Sequence, residues 1–279
     1  IGSLPAAVKL IEALSTGEIQ YGGKVTIFIG NPEAARENRR YLEADLNRVF
    51  LHTGKTRHED TRAQAIMPIL NQADVLVDFH QTILQTEQPF YIFPWHRKGW
   101  HWARAIRSTD VWVTRNPNVT FSKGSMCTDE YVSARNGAGI TVELSQKGFN
   151  KQADQICLQT MVDTLRVSDQ IHLGPSIIEQ AGQKQELVML ETTFSEPFDN
   201  PDKNLVPGLT NFKRVLAGTS LHANGSPALM VPIDGAILFP KYPERENNRA
   251  IAPWPNEIYR LVTPMKEHPA DVWDEPTES

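Results

Sequence analysis

Apolar side chains recur at helical spacing in four stretches of the sequence, and we expect a helix in each. These stretches are Ala6–Leu14, Asp60–Leu70, His101–Arg107 and Lys151–Val167. Between them lie short β-branched and aromatic runs that predict strands, namely Lys24–Gly30, Ala73–His80, Phe90–Phe93, Val111–Val113 and Gly139–Leu144. Helices that alternate with strands favour an α/β fold with a mostly parallel mixed sheet flanked by helices.

The pattern changes after Gly174, where Pro and Gly become frequent and the apolar runs shorten. The strands that we expect here are Glu186–Phe194, Ala228–Pro232 and Ala236–Pro240. We therefore predict two domains, one of helices and strands over residues 1–175 and a smaller β-rich domain over residues 176–279. The Pro- and acid-rich tail from Glu267 is expected to be loosely held.

Composition narrows the range of functions. The chain has 279 residues, of which 40% are hydrophobic and 22% charged, as in ordinary globular proteins. Lys and Arg number 28 against 33 Asp and Glu, so no basic field is present to attract nucleic acid. No apolar run approaches the roughly 18 residues of a membrane span, and the start does not resemble a signal peptide. We expect a cytoplasmic protein with no membrane contact.

The cysteines and the first residue add two further expectations. Cys127 and Cys157 are the only cysteines, too few for a disulfide framework and without the CxxC spacing of zinc or redox sites. Both are expected to be buried free thiols. The chain begins with Ile rather than Met, which leaves open that residues upstream are missing. No GxSxG, P-loop or GxGxxG motif supports a serine hydrolase, a nucleotide hydrolase or a dinucleotide enzyme.

Polar residues end two of the predicted strands, and ligands of α/β sheets bind outside the carboxyl ends of strands. Asp78 and His80 project to the same side, and a carboxylate beside a histidine can orient an imidazole that binds metal or transfers protons. Glu143 ends an otherwise apolar strand, where a carboxylate is costly to bury unless it is paired or catalytic. A structural histidine and a structural ion-pair partner remain the alternatives.

The segment from Gly30 to Phe50 is dense in Arg, Asn and Asp and directly follows a predicted strand. Guanidinium groups match carboxylates in a bidentate fork, so this composition suits recognition of a small molecule that bears a carboxylate. The alternative is a solvated charged loop.

Several of these residues together resemble a known family. The resemblance rests, in chain order, on Asn31-Pro32, Arg40-Tyr41, Asp45-Leu46-Asn47-Arg48 with Phe50, Asp78-Phe79-His80 and Thr141-Val142-Glu143-Leu144. In this order they are similar to the succinylglutamate desuccinylase and aspartoacylase family, which has the zinc-carboxypeptidase-like fold. The resemblance covers about residues 1–165 and, in outline, the β-rich remainder.

The resemblance implies hydrolysis of the amide bond of a small-molecule substrate, an N-acyl amino acid, with one zinc ion as cofactor. It implies that His80 is a zinc ligand, Glu143 the general base and Arg40 the residue that stabilises the carbonyl oxygen. The substrate-binding residues that it implies are Asn47, Arg48, Arg135 and Tyr242. Arg135 stands about two residues too close to Glu143 for the family pattern. A surface tyrosine remains an alternative for Tyr242.

The pattern breaks at the other two zinc ligands, which the family takes from a His-Gly-Asn/Asp-Glu motif just before the first helix. This motif places Ile1 at the histidine and Leu4 at the glutamate, and neither side chain binds zinc. Three explanations stay open. The chain is truncated upstream and the register is coincidental, or the protein has lost its zinc and become a binding or regulatory relative, or the metal recruits other ligands such as Asp78 or His96.

Three functional hypotheses follow. The first is a zinc-dependent deacylase of N-acyl amino acids, the second a catalytically silent binding protein on the same fold, and the third a carboxypeptidase that acts on peptide fragments. The tryptophans Trp95, Trp100 and Trp102 could line an acyl pocket, although packing in a core or interface is the alternative that we favour. The acyl group stays open, and so does the oligomeric state, for which a homo-oligomer is one option.

Overall fold

Helices and short strands alternate through most of the chain. The computed structural model describes residues 3–51, 54, 56–119, 121–122, 124–169, 177–182 and 186–274. Its helices are α1 (Leu4–Thr16), α2 (Pro32–Arg36), α3 (His58–Leu70), α4 (Arg97–Ile106), α5 (Thr128–Ser133), α6 (Lys151–Ser168), α7 (Ile177–Gly182) and α8 (Pro269–Trp273). Its strands are β1 (Val75–Thr82), β2 (Phe90–Ile92), β3 (Val111–Thr114), β4 (Ala138–Gln146), β5 (Val188–Pro197), β6 (Arg214–Val215), β7 (Gly235–Leu238), β8 (Arg245–Glu246), β9 (Arg249–Ala250) and β10 (Glu257–Pro264).

Local sequence accounts for the ends of the helices that apolar spacing predicts. Helix α1 has Pro5 in its first turn and stops at Gly17, whose φ of 78° is a left-handed conformation that favours glycine. Helix α6 begins after Asn150, whose side-chain oxygen accepts hydrogen bonds from two backbone N–H groups of the first turn. All four predicted helices are confirmed.

One mixed sheet of eight strands runs through the described residues in the order β1-β4-β2-β3-β5-β10-β7-β6. The pairs β1/β4, β2/β3 and β3/β5 are parallel, and β2/β4 is antiparallel. Beyond β5 every pair is antiparallel. This confirms the predicted α/β fold, with a mixed sheet that is mostly parallel up to β5 and flanked by helices, and with a β-rich C-terminal part. Strands β8 and β9 form a separate hairpin.

The largest apolar core packs helices α4 and α6 against strands β2, β3 and β4. Trp112 lies at its centre with no exposed surface. Trp95, Trp100 and Trp102 belong to the same core and are at most 6% exposed. Their role is therefore packing, as we favoured, and a second apolar cluster fills the β-rich part.

The predicted strand Lys24–Gly30 is wrong. The segment pairs with no strand among the described residues. Strand β1 ends the sheet on this side, and both β1 and Lys24–Gly30 line one cavity. The carbonyls of Ile29 and Gly30 accept instead from the Arg62 side chain, at 2.8 and 2.7 Å, so a side chain rather than a neighbouring strand pairs with them.

Two expectations for the C-terminal part also need correction. Ala228–Pro232 forms only one isolated bridge, between Met230 and Ser220, because the flanking prolines cannot donate to a ladder. The described part of the tail is held in place, since Trp95 donates its indole N–H to Asp274 at 2.6 Å and helix α8 packs on the core. Residues 275–279 lie outside the described residues.

The cysteines and the helices bear on two further expectations. Cys127 and Cys157 are both buried free thiols, as predicted. In the part of the chain that the structure describes, no helix is long and apolar enough to cross a membrane.

Candidate active site

A cavity of about 920 Å³ opens beside β1 and β4 and contains most of the predicted site residues. The parallel ladder pairs His80 directly with Glu143, and partners in a ladder share one face of the sheet. Asp78, two residues before His80, therefore faces the same way. The alternation predicted for Asp78 and His80, together with the pairing of β1 and β4, thus brings three titratable side chains to one wall of the cavity.

Asp78 and His80 form a close pair, with 3.1 Å between Asp78 Oδ2 and His80 Nε2. Burial favours the neutral forms of both groups, but their mutual attraction outweighs it. The pair raises the pKa of His80 to about 9 and lowers that of Asp78. The Thr128 hydroxyl donates to the same Asp78 oxygen at 2.5 Å. The arrangement thus favours the protonated imidazole, and a metal ion bound by His80 would have to displace that proton.

Glu143 is 7% exposed, and its Oε2 atom accepts no hydrogen bond from the described residues. Burial raises the pKa of this carboxyl, and the positive charges of His80 and Arg40 oppose the shift only in part. No ion pair within the described ranges holds Glu143, so the structural ion-pair alternative gains no support. A desolvated carboxyl with an open acceptor in a cavity suits a general base.

The loop that carries the Arg- and Asn-rich motif places the polar side chains of Arg40, Asp45, Asn47 and Arg48 at the cavity. Arg40 donates to Asp45 Oδ2 from Nε and Nη2, at 3.2 and 2.8 Å. Asp45 also accepts from the Asn47 backbone N–H and so caps the 3-10 turn at Leu46–Arg48. The Asn47 side chain reaches to 3.3 Å from His80 Nε2 and accepts from the Thr128 N–H. Asn47 thus links the loop to the Asp78–His80 pair.

Glu59 holds this loop in shape, although sequence analysis did not single it out. Its carboxylate has no exposed surface and accepts from the backbone N–H groups of Leu42, Glu43 and Ala44, at 2.6, 3.1 and 2.9 Å. The Asn31 side chain adds a fourth donor at 2.9 Å. A Glu in the first turn of a helix is common, so the sequence carries no signal of this role.

Two predicted substrate residues lie away from the cavity, since neither Arg135 nor Tyr242 is among its described lining residues. Arg135 stacks on the Tyr131 ring at 3.5 Å and donates to the Tyr131 carbonyl. The Tyr242 hydroxyl donates to the Val206 carbonyl at 2.7 Å, and the side chain is 38% exposed. Both residues have partners outside the site.

The cavity lining also includes three cationic residues that the sequence analysis did not assign to the site, Lys24, Arg115 and Lys241. Arg115 pairs with Glu130 at 2.5 Å. Lys241 pairs with Glu257 at 2.9 Å, and Glu257 also binds Arg260 at 2.8 Å. Lys241 is the neighbour of Tyr242, and only the lysine is among the described lining residues of the cavity. The β-rich part therefore contributes charge to the cavity.

One group of three metal-ligand side chains lies close together in the described part of the chain: Cys127, Asp129 and Glu130. Arg48 donates to Cys127 Sγ at 3.4 Å, and Arg115 donates to Glu130. These two guanidinium groups already supply the positive charge that a metal cation would bring to this group. Burial raises the pKa of Cys127 well above its ordinary value, whereas zinc binds the thiolate. The group does not fit a zinc ion.

The residues beside His80 fit a catalytic zinc only in part, because such an ion takes three protein ligands. His80 offers an imidazole and Asp78 a carboxylate. Leu4, at the position of the family glutamate, begins α1 and has no donor atom. Ile1 lies outside the described residues. His96 caps α4 by accepting from the Gly99 N–H and is not among the described residues that line the cavity.

Comparisons with known proteins agree with this fold. Residues 5–168 match the model of the succinylglutamate desuccinylase/aspartoacylase catalytic domain. Succinylglutamate desuccinylase of Pseudomonas paraeruginosa is 28% identical over 170 residues, which are 55% of this chain and 49% of the relative. A probable aspartoacylase of Nostoc sp. is 35% identical over 82 residues, 23% of this chain and 28% of the relative. The chain thus spans about half or less of the length of these relatives.

A solved structure shares the fold over most of this chain. Succinylglutamate desuccinylase from Vibrio cholerae superimposes with a TM-score of 0.67 at 17% identity, over 94% of this chain and 76% of that one. A likeness at this identity concerns the fold alone. Because the family model matches more than half of the residues, the chain belongs to the succinylglutamate desuccinylase/aspartoacylase family.

Proposed function

We propose that this protein hydrolyses the amide bond of a small N-acyl amino acid. The observation that carries the proposal is Glu143, a buried carboxyl with a raised pKa and an open acceptor atom in the cavity. Relatives named succinylglutamate desuccinylase and probable aspartoacylase support an acidic N-acyl amino acid as the substrate class.

In the proposed reaction, Glu143 takes a proton from water while the water oxygen bonds to the acyl carbon. The carbon–nitrogen bond then breaks, and Glu143 delivers the same proton to the amine nitrogen. Arg40 stabilises the negative charge that develops on the carbonyl oxygen. Asn47 and Arg48 bind the carboxylate of the substrate. Arg135 and Tyr242 receive no role, because they contact other parts of the molecule.

The proposal includes a zinc ion bound by His80, which would polarise the carbonyl and lower the pKa of water. The described residues offer His80 and Asp78, one ligand short of a catalytic set. We therefore assign no step of the reaction to the ion. The cytoplasmic location and self-association stay predictions from sequence.

Leu4 favours a second candidate function, a binding protein that holds an acyl amino acid without cleaving it. A leucine at the position of a zinc ligand removes one donor that the family's chemistry uses. This candidate keeps the carboxylate-binding residues Asn47 and Arg48 and predicts binding that needs no zinc.

Release of free amine from N-succinylglutamate, N-acylaspartates and short peptides tests the proposal. We expect Glu143→Gln to lower kcat by on the order of 100-fold or more while the Kd changes little. Glu246→Gln, at an exposed position of β8, serves as the control. Full activity of the Glu143→Gln variant would contradict the proposed base, and cleavage of peptides alone would indicate a carboxypeptidase.

Zinc content separates the two candidate functions. We expect about one zinc per chain after dialysis of the natural-length protein against metal-free buffer, measured by elemental analysis. Binding of an acyl amino acid without zinc and without cleavage would instead support the binding protein.

A further inference from the structure

Three arginines surround the ring of Phe121, which lies in the connection between β3 and α5. The guanidinium carbon of Arg48 is 4.3 Å from the ring centroid, that of Arg260 4.0 Å and that of Arg115 5.5 Å. Phe121 and Arg48 both line the cavity. The ring thus joins an arginine of the β-rich part to the arginine that binds substrate in the proposed function.

Two of these arginines have carboxylate partners that fix their positions. Arg260 pairs with Glu257 at 2.8 Å and also donates to the Phe121 carbonyl at 3.3 Å. Arg115 pairs with Glu130 at 2.5 Å. Their charges are compensated and their side chains are held independently of the ring.

Arg48 differs from both, since it forms no ion pair with a carboxylate in the described ranges. Its backbone is fixed, because the Met126 N–H donates to the Arg48 carbonyl at 3.3 Å. Its Nη1 atom donates to the Asn47 carbonyl at 2.5 Å and to Cys127 Sγ, a weak acceptor. The face of Phe121 is the other contact that holds the plane of the guanidinium group. A free guanidinium charge beside a cavity is what an incoming carboxylate needs.

We propose that Phe121 is a positioning residue for Arg48. The ring attracts the guanidinium group through its face and leaves the N–H edge open for a bidentate carboxylate. On the side of the β-rich part, Arg260 contacts the ring of Phe121 and donates a hydrogen bond to its carbonyl, and both contacts hold Phe121 in place. This inference rests on the proposed function, in which Arg48 binds the carboxylate of the substrate.

Binding of N-acetyl-L-glutamate, measured by calorimetry, tests the role of the ring. Phe121→Leu keeps an apolar side chain but removes the aromatic face, and we expect the Kd to rise about tenfold. Phe121→Tyr keeps the face and should bind within about twofold of the wild type. Phe149→Leu, at a ring that is 77% exposed, is the matched control. In turnover, KM should rise with Phe121→Leu while kcat stays constant, whereas general damage would lower kcat as well.

A second measurement does not depend on the ligand. The side-chain N–H resonance of Arg48, assigned with Arg48→Lys, should be shifted upfield by the ring current of Phe121 and lose this shift in Phe121→Leu. Unchanged resonance and unchanged binding in Phe121→Leu would overturn the inference.

Failure of the inference and failure of the proposed function give different results. If Arg48→Ala abolishes binding and Phe121→Leu has no effect, Arg48 binds substrate without help from the ring. If Arg48→Ala leaves binding unchanged, the proposed carboxylate site is wrong, and the Arg48 resonance still decides whether Phe121 positions the side chain.

Discussion

The Lys241 ammonium group lies in the cavity, 2.9 Å from Glu257, whereas its neighbour Tyr242 contacts the Val206 carbonyl outside it. Burial lowers the pKa of Lys241, with further contributions from Arg260 and Arg40, and Glu257 opposes the shift. We expect Lys241→Gln to raise the Kd for an acidic N-acyl amino acid about tenfold, because one cation leaves the cavity. Tyr242→Phe is the paired control and should bind as the wild type does.

Calorimetric titration of the two variants with the same ligand decides between these residues. Weaker binding by Tyr242→Phe together with wild-type binding by Lys241→Gln would reverse the assignment and restore the role that the sequence suggested for Tyr242.

Glu257 makes the stability of the protein depend on pH. Burial alone would raise its pKa, but the hydrogen bond and charge of Arg260 and the charge of Lys241 lower it to about 2. Because the folded pKa lies below the ordinary value, the carboxylate stabilises the fold above about pH 5, and this contribution is lost as the pH falls towards 2.

The expected result is that Glu257→Gln lowers the free energy of unfolding by roughly 3 kcal/mol at pH 7 and by much less near pH 2.5. Urea unfolding at both pH values measures the difference, with Glu246→Gln as the exposed control. If Glu257→Gln lowered the free energy of unfolding equally at both pH values, the packing of the side chain rather than its charge would account for the effect.

At the scale of elements, Glu59 of helix α3 fixes the shape of the loop that carries Arg40 and Asn47. Three backbone N–H groups and the Asn31 amide donate to this carboxylate, and they lower its pKa although burial would raise it. Glu59→Gln places an amide N–H group where only acceptors fit. We expect a loss of about 2 kcal/mol in the free energy of unfolding and weaker substrate binding, because Arg40 and Asn47 lose their fixed loop.

Denaturant unfolding and ligand titration of Glu59→Gln check both effects, beside Glu12→Gln on the exposed face of α1. Wild-type stability of the Glu59 variant would show that the loop keeps its shape by other contacts.

At the scale of the whole molecule, one sheet continues from the strands that carry the site into the β-rich part. Strand β5 pairs with β3 on one edge and with β10 on the other. The predicted division at residue 175 therefore falls just before a strand that belongs to both halves of the sheet. We expect a single cooperative transition in calorimetric unfolding, since neither half can lose β5 without exposing its own core. Two separated transitions would show that the predicted domains unfold independently.

The sequence alone was sufficient for the features that depend on neighbouring residues. The spacing of apolar residues gave the four predicted helices, and strand alternation placed Asp78 and His80 on one side. The motif Asp45-Leu46-Asn47-Arg48 lies in the loop at the cavity and was one of the motifs that, in their order, indicated the family. Each of these patterns involves residues that are close together in the sequence. The backbone geometry of a helix, strand or turn therefore fixes their relative positions.

Tertiary structure decided the features that join distant parts of the chain. Glu59 reaches back to the backbone of Leu42, and Phe121 joins Arg48 to Arg260. Lys24–Gly30 has the composition of a strand, but it has no paired neighbour among the described strands. Such contacts depend on which elements pack side by side and which way each side chain turns, and no local spacing encodes either. For that reason the sequence named the motif residues, and only the folded chain distinguished Lys241 in the cavity from Tyr242 outside it.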